Sequence, residues 1–165
     1  SKRELEKIAL FYKNSKSKIK LEEIRILLND SSSQNLNKMN EYVMFGNTNK
    51  SSKIVNKLLT EGASPISLVR SLSNYMLRIQ KTKIEMRKGN NFDVAIKSLR
   101  PPVFWKDKDS FERHCHKWPL SSIETSLFKL LETEVSCKLN SNLATLNCEK
   151  SILLVADCGR NYFRN

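Results

Sequence analysis

The segment SPISLVRSLSNYMLRIQKTKIEMRKG, residues 64–89, decides the fold class. Ser64-Pro65 pairs an N-cap residue with Pro at the first helical position, where its missing N–H would have had no partner anyway. At about 100° per residue, Leu68, Val69, Leu72, Tyr75, Met76, Ile79 and Met86 fall within about 120° of a helix circumference. Arg70, Asn74, Arg78, Lys81, Glu85 and Lys88 fall on the opposite side. Gly89, followed by two Asn, is a stop signal. The spacing predicts an amphipathic helix from Pro65 to about Lys88 with one face in a core.

The same period extends in both directions. Leu5, Ile8, Ala9 and Tyr12 predict a helix over Lys2–Lys13, broken by NSKSK (Asn14–Lys18). Leu21, Ile24, Leu27 and Leu28 predict a second, ending at the polar stretch NDSSSQN (Asn29–Asn35), the best candidate domain boundary. Leu36, Met39, Val43 and Met44 predict a helix stopped by Gly46. Asn47 or Thr48 caps the next, which carries Ile54, Val55, Leu58 and Leu59 and stops at Gly62. Beyond the central helix, Phe92–Leu99 reads as a short helix, and Pro101-Pro102 as an extended stretch. Asp109–Trp118 reads as a helix begun by Asp107 or Asp109 and stopped by Pro119. Ser121-Ser-Ile-Glu124 has capping-box spacing ahead of Ile123, Leu127, Leu130, Leu131 and Val135. A loop near Asn140–Asn142 precedes a last helix over about Leu146–Cys158, with Gly159 as its C-cap. No strand pattern of period two survives.

Composition agrees. The chain has 165 residues, with 4 Gly and 4 Pro, too few for the turns of a sandwich or barrel. Lys and Arg number 29 against 17 Asp and Glu, a formal charge of +12. That excess suggests a polyanionic partner such as nucleic acid. Lys outnumbers Arg 20 to 9 and Asn reaches 16, however, a vocabulary that base composition alone can impose. No segment approaches the ~20 apolar residues of a membrane span. The four cysteines form no CxxC pair, and Ser1–Lys7 is charged rather than signal-like, so free thiols in a reducing cytoplasm are expected.

Catalytic chemistry finds little support. No phosphate-cradling glycine loop and no GxSxG are present. His114-Cys115-His116 offers three metal-ligand types in a row, but neighbours on a helix diverge by about 100° and cannot converge on one ion. Asp107 with Asp109, and Glu132 with Glu134, diverge likewise. No catalytic, cofactor or metal residue is expected. Two groups carry binding readings. The stretch Arg78–Arg100 holds seven basic and two acidic residues. Arg78, Lys81 and Lys88 are either a phosphate-contacting face or a solvated helix surface. Phe104, Trp105 and Trp118 are either protein-interface anchors or loop and core packing.

Longer stretches carry a resemblance. RELEKIALFY (Arg3–Tyr12) and IKLEEIRILLND (Ile19–Asp30) resemble the close of the small helical lid domain in the δ subunits of bacterial DNA polymerase III clamp loaders. FGNTNKSSKIVNKLLTEGASPISLVRSLSNYMLRI (Phe45–Ile79) resembles the family's signature order of helix, glycine, aliphatic helix, Glu-Gly, Pro and long aliphatic helix. LRPPVFWKDKDSFERHCHKW (Leu99–Trp118) and ETEVSCK (Glu132–Lys138) match its later pattern. The resemblance implies an all-α, multi-helix bundle of the clamp-loader collar type over residues 31–165. The end of an AAA+ helical lid would precede it over residues 1–30. It implies a non-enzymatic, cytoplasmic, cofactor-free assembly module. Its partners would be the δ′ and γ/τ subunits, the sliding clamp through an N-terminal domain absent from this chain, and primed DNA through the complex. The interface is expected on the last two helices and near Trp118. The alternative is a stand-alone basic helical domain that binds nucleic acid.

Overall fold

A computed structural model describes the backbone of residues 21–163 and the side chains of residues 33–163. Seven α-helices follow one another in this part: α1 (Leu21–Met44), α2 (Thr48–Thr60), α3 (Pro65–Arg87), α4 (Phe92–Ala95), α5 (Lys108–Lys117), α6 (Leu120–Leu139) and α7 (Ala144–Phe163). Three single 3₁₀ turns lie at Ile96–Ser98, Trp105–Asp107 and Ser141–Leu143, and the described residues contain no strand. The all-α class expected from periodicity is the class observed. The helix expected over Lys2–Lys13 lies outside the described residues.

The first three helices end alike. After α1, the Gly46 N–H donates to the Val43 carbonyl and the Asn47 N–H to the Tyr42 carbonyl, each at 2.9 Å. Gly62 and Ala63 repeat this after α2, and Gly89 and Asn90 after α3. This double bond back to the last turn requires a left-handed residue between, which Gly supplies. All three glycines have positive φ. At the start of α2 the Asn47 side chain accepts from the Lys50 N–H at 3.0 Å.

Four expectations about helix ends need correction. The Ser-rich stretch at 29–35 does not end a helix, because α1 runs through it to Met44. It contains neither Gly nor Pro, and Ser costs a helix only a few tenths of a kcal/mol. The start of α6 carries no side-chain cap bond, so the Ser121–Glu124 capping box is not formed. Asp107 precedes α5 without capping it. Gly159 is not a C-cap, since α7 continues to Phe163.

The reason for Gly159 is packing. A Cβ there would lie 2.9 Å from the Trp118 ring, 3.0 Å from the Val43 oxygen and 3.1 Å from the Met44 oxygen. At Gly46 it would lie 2.1 Å from the Arg160 nitrogen. The end of α1 and the last turns of α7 therefore cross backbone against backbone, with a glycine on each side. Trp118 closes this junction. It is fully buried, and its Nε1–H donates to the Met44 carbonyl at 2.9 Å.

The core gathers around α3, which packs along α6 and α7, while α7 also packs on α1 and α2. Leu68, Val69, Leu72, Met76 and Ile79 of α3 have no solvent exposure. They meet Met39 and Val43 of α1, Val55 of α2, Ile123 and Leu130 of α6 and Ile152 of α7. Each such side chain stabilises by about 1.5–3 kcal/mol. Buried polar groups are mostly paired. The Thr133 and Ser151 hydroxyls bridge α6 and α7 at 2.6 Å, and Asn40 Nδ2 donates to Ser71 Oγ at 3.1 Å. His114 Nδ1 meets the Tyr75 hydroxyl at 3.0 Å, and burial lowers its pKa to about 3, so the ring is neutral.

Candidate protein-docking face

Helix α6 has two apolar sides. Ile123, Ser126, Leu130, Thr133 and Cys137 alternate at three and four and are buried. Phe128, Leu131, Val135 and Leu139 recur at the same intervals on the far side, and they are 47–76% exposed. At about 100° per residue the two rows sit roughly opposite each other. A helix buried on one side alone has no need of the second row.

Further exposed apolar residues follow on α7 and the turn before it. Leu143, Leu146 and Leu154 on α7 and its preceding turn are 50–61% exposed. Among the described residues, seven of the twelve exposed large hydrophobics thus belong to α6, α7 or the link between them. Leu154 lines a groove of about 210 Å³ between α6 and α7, together with Lys129, Glu132, Ser136, Asn147 and Lys150.

Ion pairs border the row on both sides. Towards α3, Arg70 lies 2.8 Å and Lys138 2.7 Å from the same Glu134 oxygen. The hydrogen bond from Arg70, then that from Lys138, holds the Glu134 carboxyl below the usual carboxylate range. Towards α7, Lys129 lies 3.1 Å from Glu132. An apolar centre inside a charged rim is the anatomy of a protein–protein contact.

The residues singled out from the sequence scatter. Phe104 and Trp105 are 57% and 72% exposed on the turn before α5, with ring centroids 5.9 Å apart, and Lys106 sits over the Trp105 ring. Trp118 is not with them: it is a core residue at the α1–α7 junction, so it cannot serve as an exposed anchor. Arg78 is half-buried, with its guanidinium over the Phe111 ring at 5.6 Å and an Nη donating to the Pro101 carbonyl at 3.2 Å. It ties the proline loop to α3. Lys88 pairs with Glu85 at 2.7 Å, while Lys81 is exposed. The three do not form a uniform row of free cations.

The outer row of α6 escaped the sequence reading, which grouped Leu130, Leu131 and Val135 as one apolar set. The signal was present: apolar residues at 123, 127, 128, 130, 131, 135 and 139 span about 180° of the circumference. An apolar arc that wide exceeds the stripe a helix needs to bury one side. Among the described residues no group of His, Cys, Asp or Glu could hold a metal ion. Nor is any described helix long and apolar enough to cross a membrane.

No family model matches the chain. It is 28% identical over 96 residues, 58% of its length, to the probable DNA polymerase III subunit delta of Rickettsia prowazekii, of which those residues cover 29%. Its fold matches the DNA clamp loader delta protein of Bacillus subtilis with a TM-score of 0.67 and 18% identity, covering 93% of this chain and 44% of that one. The chain thus spans less than half the length of the proteins it matches. Over that part it carries the fold of a clamp-loader δ protein and shares sequence with a δ subunit of DNA polymerase III.

Proposed function

We propose that this chain is the C-terminal part of a clamp-loader δ subunit and that its work is assembly. In this reading residues 31–165 are the collar and residues 1–30 the end of the lid, joined through α1. The collar docks against the δ′ and γ/τ subunits in the cytoplasm, and the completed complex places the sliding clamp on primed DNA. The δ subunit contributes no catalytic residue and no cofactor. The observation that carries the proposal is the second apolar row of α6, from Phe128 to Leu139, framed by ion pairs and left uncovered in the single chain. Together with the likeness to δ proteins, it supports the reading that a neighbouring collar packs on α6.

The test is reconstitution with cognate δ′ and γ/τ subunits. The unaltered protein is expected to form a ternary complex, and Leu131→Glu with Val135→Lys to lose it while keeping its helical circular dichroism. The exposed Phe104→Ser with Trp105→Ser serves as a comparison for the other aromatic patch. Failure of the unaltered protein to assemble, or assembly undiminished by charges in the α6 row, would overturn the proposal.

A further inference from the structure

A cavity of about 700 Å³ opens between the C-terminal half of α3, the end of α5 and the start of α6. It shares no residue with the α6 docking row. Four basic side chains line it, Lys83 and Arg87 from α3 and His116 and Lys117 from α5, against one carboxylate, Glu124. Lys83 and Arg87 are four apart and so share a helix side. Lys81 and Lys88 lie roughly 100–160° round the helix from them, so this cluster is distinct from the stripe read in the sequence.

The lysine at the back is fixed in place. Lys83 Nζ donates to the Cys115 carbonyl at 2.5 Å and is half-buried. An ammonium has three N–H donors, so two remain for a ligand. Desolvation pulls the Lys83 pKa below its usual value. An anion beside it would relieve that cost. Arg87 and Lys117 are exposed at the rim, and neither has an ion-pair partner among the described residues. Pro119 and Leu120 form part of the wall, and no side chain caps the start of α6 there. Met86 adds an apolar surface.

We infer that this cavity binds a phosphate-bearing anion of nucleotide size, with Lys83, Arg87 and Lys117 on the phosphate and Met86 and Pro119 against the remainder. The volume falls within the range of small-molecule sites, about 300–1,000 Å³, and far exceeds a lone phosphate. Lys and Arg at differing depths suit a phosphate's several oxygens. The shared chemistry fits a free nucleotide or the terminal nucleotide of a strand.

The experiment titrates the protein with inorganic phosphate, thymidine monophosphate, and an oligothymidylate with or without a 5′-phosphate, following backbone amide resonances. The amides of Leu120 and Ser121 are expected to move with phosphate and more strongly with the monophosphate. Arg87→Ser with Lys117→Ser should weaken the monophosphate about tenfold or more, two charge-assisted contacts being lost. Lys38→Ser with Lys53→Ser makes the same change in net charge elsewhere and should leave binding within about twofold. Glu124→Gln should tighten it, a gain that misfolding cannot imitate. Displacement of the monophosphate by the phosphorylated oligonucleotide alone assigns a strand end; displacement by neither assigns a free nucleotide. Unmoved Leu120 and Ser121 amides, or equal weakening by the two double variants, would overturn the inference.

Discussion

Gly46→Ala tests the backbone crossing between α1 and α7. Two costs add at this position. The φ of 72° is left-handed, where a Cβ costs about 1–2 kcal/mol. The new Cβ would also sit 2.1 Å from the Arg160 nitrogen, 2.3 Å from its Cα and 2.6 Å from the Gly159 carbonyl carbon. An ordinary contact begins near 3.4 Å, so the two segments must part by more than 1 Å. These are backbone atoms, which no rotamer change can move aside. Overpacking of this kind costs about 1–3 kcal/mol, and the parted surfaces lose a quarter to a half of their dispersion contact. Gly62→Ala is the control. Its φ is 93°, but a Cβ there meets nothing within 4 Å. The control thus carries the strain without the overlap and should cost about 1 kcal/mol. Gly46→Ala should cost about 3–4 kcal/mol. Both substitutions stiffen the unfolded chain equally, so their difference, about 2–3 kcal/mol, isolates the crossing. Urea unfolding followed by circular dichroism measures it. Two variants agreeing within about 0.5 kcal/mol would refute the tight crossing.

Three further outcomes are expected. Trp118→Leu should cost about 3 kcal/mol in urea unfolding, through the cavity it leaves and the lost bond to Met44, whereas Trp105→Leu should stay within about 0.5 kcal/mol of neutral. Thr133→Val should cost about 1–3 kcal/mol by orphaning the Ser151 hydroxyl, whereas Ser151→Ala should cost less, because the Thr133 hydroxyl still donates to the Lys129 carbonyl at 2.8 Å; the double variant should cost less than the two single effects together. The His114 pKa is lowered from 6.5 to about 3, by burial first and by Arg113 second. The unfolded chain therefore takes up a proton that the folded one refuses. The stability due to the neutral ring is complete above pH 6.5 and declines as the pH falls towards 3, by up to about 1.4 kcal/mol per pH unit. Unfolding at pH 7 and pH 5 should differ by about 2 kcal/mol from this source, and His114→Leu should remove that difference.

Much of the fold was legible in the sequence because its signals are local. Gly46, Gly62 and Gly89 end helices through bonds to residues three to five earlier, and the α3 period is written in its own apolar spacing. What escaped depends on distant chain. Gly159 reads as a stop until Trp118 and the end of α1 are seen pressed against it. Ser121 and Glu124 have capping-box spacing, yet α6 starts at Leu120 behind Pro119. Residues 29–35 read as a break because they are polar, but polarity without Gly or Pro leaves a helix intact. The candidate face was half legible. Its helices could be named, but separating Leu130 from Leu131 requires knowing which side of α6 meets α3 and α7. In the basic stripe, Arg78 has a structural partner in Phe111, 33 residues away, that no local pattern announces.

The two tryptophans stand at opposite extremes of burial, Trp118 at 0% and Trp105 at 72% exposure. The molecule therefore carries two optical probes. Trp118 emission should be blue-shifted and shielded from aqueous quenchers, and only disruption of the junction it closes would expose it. Trp105 emission should be red-shifted and freely quenched, and any molecule that covers the turn before α5 would protect it. One fluorescence trace, split by a quencher, then separates loss of the fold from occupation of the surface.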